Sequence, residues 1–218
     1  MSVWAHTQPG RYYFYYFVRA VARAVLRIFT RYAVEGLDNV PQDGGVILAP
    51  NHTSYADPPI VGSACKRRVW FMAKSELFNI FGLKRVIVLC GAFPVTRGAA
   101  DRKALRTALS LLERGEVLCV FPEGQRSLDG KLLPAEVGFS FLAAKAQVPV
   151  VPVAITGARE FLRPGSPLFR FAKVRVRFGP PLPPPPNTDD KKVLEEIGQQ
   201  VMASIASLMG VPAPGSAP

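Results

Sequence analysis

Short runs of apolar residues alternate with helical segments from Gly36 onward, and this alternation constrains the fold more than any other feature of the sequence. The runs have the length and the β-branched content typical of strands. Two helices are predicted between them, at residues 99–114 and at about 135–146. The pattern predicts an α/β fold with a mixed, mostly parallel central sheet flanked by helices. The predicted strands are residues 46–49, 69–72, 86–89, 117–121, 150–155 and 174–178.

The length of 218 residues fits one catalytic-sized domain with appended segments. We expect the domain to span residues 36–209. Near its end, a proline-rich strap at 180–187 is unable to continue a helix or a central strand. A helix at 189–209 follows, with one apolar face that we expect to dock on the domain. Residues 210–218 are rich in Pro, Ala, Gly and Ser and are expected to be disordered.

The segment before the domain, residues 1–35, contains a predicted amphipathic helix at 12–32. Apolar side chains fall on one side of this helix, which is typical of helices that lie in a membrane interface. Spanning the bilayer is disfavoured, because each buried arginine would cost about 2.5 to 3.5 kcal/mol. The alternative is that the apolar face packs on the protein's own core and the basic stripe is exposed. That stripe consists of residues spaced four apart: Arg19, Arg23, Arg27 and Arg31.

The net charge is +11, from 27 Lys and Arg against 16 Asp and Glu. Such an excess points to phosphate, an anionic membrane surface, an acidic carrier protein or nucleic acid, and charge alone does not choose among them. The three cysteines, Cys65, Cys90 and Cys119, are spaced unlike a metal or disulfide framework, which favours a reducing compartment. We expect a peripheral or monotopic protein on the cytoplasmic face of a membrane.

Three polar clusters follow predicted strands. They are PNHTSYADP at 50–58, GAFPVTRG at 91–98 and FPEGQRS at 121–127. In open α/β sheets, ligands bind beyond the carboxyl ends of the strands. We therefore expect these clusters to line one crevice.

The first cluster contains His52 and Asp57, which a turn must bring together because Pro58 disfavours helix at Asp57. A carboxylate bonded to one imidazole nitrogen leaves the other nitrogen free to take a proton from a substrate hydroxyl, which is general-base chemistry. The alternative is that both residues only stabilise their own turn. A metal site is not indicated, since the other histidine is His6 and no cysteine cluster accompanies His52.

The second and third clusters offer anion ligands. Arg97 precedes a predicted helix, whose N-terminal amides would also favour phosphate. In the third cluster Gly124 shapes a turn, Arg126 can bind an anion through its guanidinium group, and Glu123 can accept hydrogen bonds from substrate hydroxyls. The alternative is that Arg97, Arg126 and Lys74 are ordinary surface charges and that Glu123 pairs with one of them.

Four blocks, NHTSYADP, GAFPVTRG, FPEGQRS and VPVVPVAI, follow one another in this order, and AKSELF lies between the first two. In this arrangement the chain resembles the PlsC-type glycerolipid acyltransferases over roughly residues 35–179. Four ordered blocks are far more specific than any single one.

The resemblance implies a 1-acyl-sn-glycerol-3-phosphate acyltransferase. In that reaction the hydroxyl of lysophosphatidic acid attacks an acyl thioester, giving phosphatidic acid and a free thiol without an acyl-enzyme. The co-substrate would be acyl-CoA or acyl carrier protein, and no cofactor or metal is implied. Transferred to this sequence, the family's roles are His52 as general base, Asp57 as its orienter, Lys74 and Arg97 as phosphate ligands, and Glu123, Gly124 and Arg126 as acceptor-binding or structural residues.

Two departures from the family pattern leave the substrate preference open. Many members carry F-K-K-G after the third block, whereas this chain reads Ala135, Glu136, Val137, Gly138, and Gln125 replaces a more usual Thr. Glycerol 3-phosphate, another lysophospholipid or a lyso-ornithine lipid are alternative acceptors. A non-enzymatic basic protein that binds membrane or nucleic acid is the alternative from another class. No RNA-binding motif or recognition-helix pattern supports a nucleic-acid partner, and we expect none.

Overall fold

The computed structural model describes residues 9–96, 101–163 and 168–215, with side chains from residue 13 onward. Within these ranges the strands form one seven-stranded sheet with the order β1-β7-β6-β2-β5-β3-β4. The five neighbours from β6 to β4 run parallel, whereas β7 is antiparallel to β6 and β1 pairs parallel with β7. The strands are β1 (Ala33–Glu35), β2 (Val46–Pro50), β3 (Val69–Lys74), β4 (Ala92–Val95), β5 (Val117–Cys119), β6 (Val150–Thr156) and β7 (Arg175–Phe178).

Helices cover both faces of the sheet, which confirms the predicted fold class. Side chains of α1, α2 and α6 pack on one face, and those of α4, α5 and α7 pack on the other. The central strand β2 is buried at every residue, as expected of a parallel strand covered on both sides. The helices are α1 (Pro9–Phe29), α2 (Asp57–Ala64), α3 (Leu83–Leu89), α4 (Arg102–Glu113), α5 (Val137–Ala146), α6 (Ala158–Phe161) and α7 (Lys191–Met209).

The prediction of a strand at residues 86–89 was wrong, because these residues form the second half of α3. The strand of this region is β4, which lies within the second polar cluster. A short apolar run does not distinguish a strand from a buried helix by periodicity. Pro94 made β4 hard to recognise in the sequence, because proline has no N–H to donate to a neighbouring strand. The sheet accommodates Pro94 because β4 is an edge strand.

The expectation that Pro58 keeps Asp57 out of a helix was also wrong. Asp57 is the first helical residue, although Pro58 follows it. Proline is accepted in the first turn of a helix, where its missing N–H would have had no intrahelical partner. The helix therefore begins inside the first polar cluster.

The front helix, α1, packs on the domain through apolar residues and through part of its basic stripe. Tyr15 and Leu26 are buried. Arg23 donates to the carbonyl oxygen of Ser63, and Nη1 of Arg19 donates to that of Lys66 at 3.1 Å. Both carbonyls lie at the C-terminal end of α2, where the helix dipole favours cations.

The outer side of α1 carries an exposed apolar row that includes Phe17, Val21 and Ile28. Val25 and Phe29 of the same helix pack against the core, and Arg27 is exposed, so the structure combines features of both alternatives. None of the helices in the described ranges combines the length and the apolar character needed to cross a membrane.

The end of the chain returns to the sheet. In the strap, Leu182 exchanges two backbone hydrogen bonds with Val150 at the start of β6. Asp190 caps α7 by accepting from the amides of Lys192 and Val193. The helix buries one face, formed by Leu194, Ile197, Gly198, Val201, Met202, Ile205 and Ala206. Residues 1–8 of the predicted front segment and 216–218 of the predicted tail lie outside the described residues.

Candidate active site

The first and third polar clusters, and Thr96 near the end of the second, lie at the same edge of the sheet. Strands β2, β5, β3 and β4 are consecutive neighbours and run parallel, so their carboxyl ends meet there. The register pairs Leu48 with Cys119, Cys119 with Phe71, and Lys74 with Val95. Adjacent strands are about 4.8 Å apart, which keeps the chain segments that leave these strands close together.

His52 and Asp57 form a buried pair in the loop after β2. Nδ1 of His52 lies 2.8 Å from Oδ2 of Asp57. The same oxygen accepts the backbone amides of Thr53 and Ser54, each at 2.7 Å. One carboxylate oxygen therefore closes the turn and holds the imidazole ring at the same time.

The ring of His52 is fixed in orientation. A carboxylate only accepts hydrogen bonds, so Nδ1 carries the proton and Nε2 is the free acceptor. None of the described residues forms a hydrogen bond with Nε2. The phenyl ring of Phe121 stacks on the imidazole, with 3.9 Å between the ring centroids and 24° between the planes. A histidine held in this way can accept a proton at Nε2 without reorienting.

Glu123 holds the backbone of His52. Its Oε1 accepts the amide of His52 at 2.7 Å, and its Oε2 accepts the amide of Leu133 at 3.0 Å. The amide of Ser127 donates to the carbonyl of His52 at 2.8 Å. The third cluster thus binds both backbone groups of the candidate base. Because each carboxylate oxygen already accepts a backbone amide, the geometry supports the structural role of Glu123 over binding of a substrate hydroxyl.

Burial raises the pKa of Glu123 to about 7, and the negative charge of Asp57 adds to this rise. The two backbone amides oppose it, because they stabilise the carboxylate. The side chain is 1% exposed. Glu123 is therefore a buried acid with a raised pKa that is hydrogen-bonded to the main chain of the candidate base.

Gly124 occupies a left-handed backbone conformation with φ of +65°. A Cβ atom at this position would lie 2.6 Å from Cγ of Glu136, whose own amide donates to the carbonyl of Pro122 at 2.9 Å. Glycine fits both the φ angle and the close approach. Glu136 belongs to the segment that departs from F-K-K-G, so this segment packs on the third cluster.

Arg126 stacks on a residue of the first cluster. Its guanidinium carbon lies 3.6 Å from the centroid of the Tyr55 ring, in a cation–π contact. Lys74, at the end of β3, pairs with Glu76 at 2.8 Å on an exposed surface. Pairing with Lys74 lowers the pKa of Glu76 to about 2. Lys74 therefore already has a carboxylate partner, whereas the charge of Arg126 is held by an aromatic ring.

Arg97 lies outside the described residues, together with residues 98–100. On either side of this gap, the amide of Thr96 donates to Oδ2 of Asp101 at 2.9 Å. Asp101 also caps α4 by accepting from the amides of Lys103 and Ala104. The phosphate role of Arg97 stays a prediction.

Asn51 binds the start of the His52 loop to β6, a role that the sequence did not reveal. The side-chain amide of Asn51 donates to the carbonyl of Ile155 at 3.0 Å, and its oxygen accepts the amide of Ile155 at 2.7 Å. These two bonds continue the ladder between β2 and β6 by one step. A polar residue between a buried strand and a candidate base is the sequence signal that could have revealed this role. Phe121 and Tyr55, which stack on site residues, carried no comparable signal.

Cation ligands do not converge in the described part of the chain. No group of three or more His, Cys, Asp or Glu side chains there has the arrangement that a metal ion requires.

Known proteins resemble this chain in sequence. The Acyltransferase family model matches residues 31–156. The 1-acyl-sn-glycerol-3-phosphate acyltransferase of Bacillus subtilis is 28% identical over 169 residues, which are 77% of this chain and 82% of the relative. The enzyme of the same name from Streptococcus pneumoniae is 30% identical, over 77% of this chain and 60% of the relative. The enzyme of the same name from Limnanthes douglasii is 33% identical, over 66% of this chain and 51% of the relative. The chain thus spans only about half the length of the plant relative.

A solved structure shares the fold. The crystal structure of the 1-acyl-sn-glycerophosphate (LPA) acyltransferase PlsC from Thermotoga maritima has a TM-score of 0.75 and 29% sequence identity, covering 93% of this chain and 83% of that one. The family match extends from the end of α1 through β6, so it contains β2, β3, β4 and β5 with the clusters at their ends. The chain belongs to the acyltransferase family.

Proposed function

We propose that this protein transfers a fatty acyl group from an acyl thioester to the sn-2 hydroxyl of lysophosphatidic acid, giving phosphatidic acid. The observation that carries the proposal is the His52–Asp57 pair, with Nε2 of His52 unbonded among the described residues at the carboxyl edge of the sheet. The names of the relatives from Bacillus subtilis and Streptococcus pneumoniae support this choice of acceptor.

In the proposed reaction, Nε2 of His52 takes the proton of the acceptor hydroxyl as its oxygen attacks the thioester carbonyl carbon. The thioester bond breaks from the resulting tetrahedral adduct, and the thiolate receives the proton from the imidazolium. Asp57 stabilises the transient positive charge on the ring. A general base of this kind contributes roughly 10² to 10⁴ in rate.

The acceptor phosphate has three candidate cations, of which Arg126 and Lys74 are described by the structure. Arg126 is held on the Tyr55 ring, Lys74 ends β3, and Arg97 follows β4 in the sequence. We assign the phosphate to Arg126 and Arg97 ahead of Lys74, because Lys74 already pairs with Glu76. A planar guanidinium also matches phosphate in a bidentate manner, which an ammonium group does not.

The donor is acyl-CoA or acyl carrier protein in this proposal. Both present negative charge, from phosphates in the first case and acidic side chains in the second. The net charge of +11 is complementary to either donor.

We also propose that the outer face of α1 lies on an anionic membrane surface. Phe17, Val21 and Ile28 form an exposed row along one side of the helix. Arg27, which precedes Ile28 in the sequence, is also exposed. Apolar side chains buried at the headgroup boundary and arginines near anionic lipid both favour this position. The acceptor and the product of the proposed reaction reside in that boundary.

The experiment that tests the function uses purified protein, one radiolabelled acyl-CoA and a panel of acceptors. The panel contains lysophosphatidic acid, glycerol 3-phosphate, lysophosphatidylcholine and a lyso-ornithine lipid. The proposal expects labelled phosphatidic acid as the main product. Preferential labelling of another acceptor's product would reassign the substrate, and no labelled product with acyl-CoA or acyl carrier protein as donor would refute acyl transfer. Steeply salt-dependent binding of DNA, without thioester consumption, would favour the non-enzymatic alternative.

A further inference from the structure

The connection between β3 and β4 exposes an unusual amount of apolar surface. We call residues 80–89 the crossover segment; it contains α3 and the two apolar residues Ile80 and Phe81 just before it. Phe81 is fully exposed, and Ile80 and Val86 are about half exposed. No residue of α3 is buried. Large exposed apolar patches on a folded chain mark surfaces that contact a partner or a lipid.

The crossover segment neighbours α1. The two helices α1 and α3 are in contact. The exposed row on α1, with Phe17 and Val21, and the exposed residues of the crossover segment therefore belong to neighbouring elements. Both elements expose large apolar side chains.

The crossover segment follows the carboxyl edge of the sheet along the chain. It is connected to β3 by the short 3-10 helix Ser75–Asn79, which begins directly after Lys74 at that edge. Five residues therefore join the crossover segment to the edge of the sheet at which the candidate active site lies.

The charge of the segment is complementary to an anionic surface. Lys84 and Arg85 are exposed and follow the apolar pair within four residues. Basic side chains next to exposed aromatic and aliphatic ones are typical of interfacial segments, because the apolar groups enter the boundary while the cations contact headgroups.

We propose that the crossover segment is a second membrane-docking element, in which Ile80 and Phe81 enter the lipid interface and Lys84 and Arg85 contact anionic headgroups. Together with α1 it gives two attachment points, and two points fix the orientation of the protein on the bilayer where one helix would leave it free to rotate. The role as an orienting device rests on the proposed function, whereas the docking itself does not.

The test uses one substitution at two matched positions in the full chain. Val86 on α3 is 45% exposed, and Val211 is 42% exposed. Val211 follows α7, which packs on the opposite face of the sheet from α1. Val86→Asp and Val211→Asp therefore make the same change in volume and charge, and only the first lies on the proposed surface. Phe81→Asp is the stronger variant, and Phe81→Ser replaces it if the charged variant does not fold.

Binding is measured by co-flotation with vesicles of 70% phosphatidylcholine and 30% phosphatidylglycerol. Phe81→Asp is expected to lower the vesicle partition coefficient at least about 10-fold and Val86→Asp several-fold, with Val211→Asp within 2-fold of wild type. Binding of Phe81→Asp equal to that of Val211→Asp would overturn the proposal. So would an equal loss in both valine variants, which would reflect net charge alone.

Two further measurements distinguish lipid docking from self-association and from a loss of catalysis. Sedimentation velocity without lipid decides whether the surface instead joins two copies of the chain. A wild-type dimer that Phe81→Asp converts to monomer would overturn the lipid assignment, whereas equal mass of both proteins supports it. Turnover with a short-chain lysophosphatidate below its micellar concentration should be the same in wild type and Phe81→Asp. If wild type is inactive in that assay, the proposed function fails and the vesicle result still decides the docking.

Discussion

The carboxylate of Glu123 holds the backbone of His52, not its ring. Its Oε1 accepts the amide of His52 at 2.7 Å, across 71 positions of sequence, while Asp57 holds the ring from within the same loop. The candidate base is therefore positioned twice, by one carboxylate on its imidazole and another on its main chain. Both carboxylates are buried, and the charge of Asp57 contributes to the raised pKa of Glu123.

The raised pKa of Glu123 predicts a specific dependence of stability on pH. The pKa rises from an ordinary 4.5 to about 7 on folding, so the folded state binds this proton more tightly than the unfolded chain. The resulting stabilisation is fully present below pH 4.5 and is lost as the pH rises through 7. Over that window the free energy of unfolding of wild type should fall, relative to that of Glu123→Gln, by about 3 kcal/mol. Urea denaturation at a series of pH values measures the difference.

The same substitution at an exposed glutamate provides the control. Glu113→Gln, at the end of α4, should leave the pH dependence of the free energy of unfolding close to that of wild type. A difference between wild type and Glu123→Gln that stays constant from pH 4.5 to 7.5 would show that Glu123 does not titrate in this range.

Asp57→Asn should separate the negative charge of Asp57 from its hydrogen bonds. The variant retains an oxygen for the amides of Thr53 and Ser54 and for Nδ1 of His52, but it is neutral and no longer stabilises an imidazolium. We expect kcat to fall by roughly 10² to 10⁴ with little change in KM for the acceptor. Steady-state kinetics and thermal unfolding check this, with Asp43→Asn on the exposed surface as the control. A kcat within 3-fold of wild type would exclude stabilisation of the imidazolium by the charge of Asp57.

The contact between Tyr55 and Arg126 predicts a difference between two substitutions. Tyr55→Phe keeps the aromatic face on which the guanidinium rests, and Tyr55→Leu removes it. A cation–π contact is worth about 0.5 to 2 kcal/mol, so KM for lysophosphatidic acid should rise roughly 2-fold to 30-fold in the leucine variant and stay near wild type in the phenylalanine variant. Equal KM values for the two variants would show that the stacking does not position Arg126 for the phosphate.

Much of this site followed from the sequence because strand ends can be located from apolar runs. Strands β2, β3, β5 and β6 each contain a run of buried or partly buried residues that is distinct from its surroundings. The polar residues that follow such runs must lie at one edge when the strands are parallel. The pairing of His52 with Asp57 through a turn was predicted, although the start of a helix at Asp57 was not.

The rest depends on contacts that leave no local pattern. The bonds from Glu123 to His52 and from Asn51 to Ile155 join residues 71 and 104 positions apart, and nothing in the spacing specifies them. The side of α1 that faces the domain was likewise unpredictable from its amphipathic pattern alone. Its inward side combines the buried Tyr15 and Leu26 with Arg19 and Arg23, which donate hydrogen bonds to two carbonyls at the end of α2.

The most direct test of His52 as the general base is the release of thiol from acyl-CoA with and without lysophosphatidic acid. Wild type should release thiol only when the acceptor is present, because in the proposed reaction the attacking group is the acceptor hydroxyl and no acyl-enzyme forms. His52→Ala should lower that rate by about 10² to 10⁴ while keeping the wild-type melting temperature and vesicle binding. Acceptor-dependent thiol release by His52→Ala at the wild-type rate would contradict the assignment of His52 as the base.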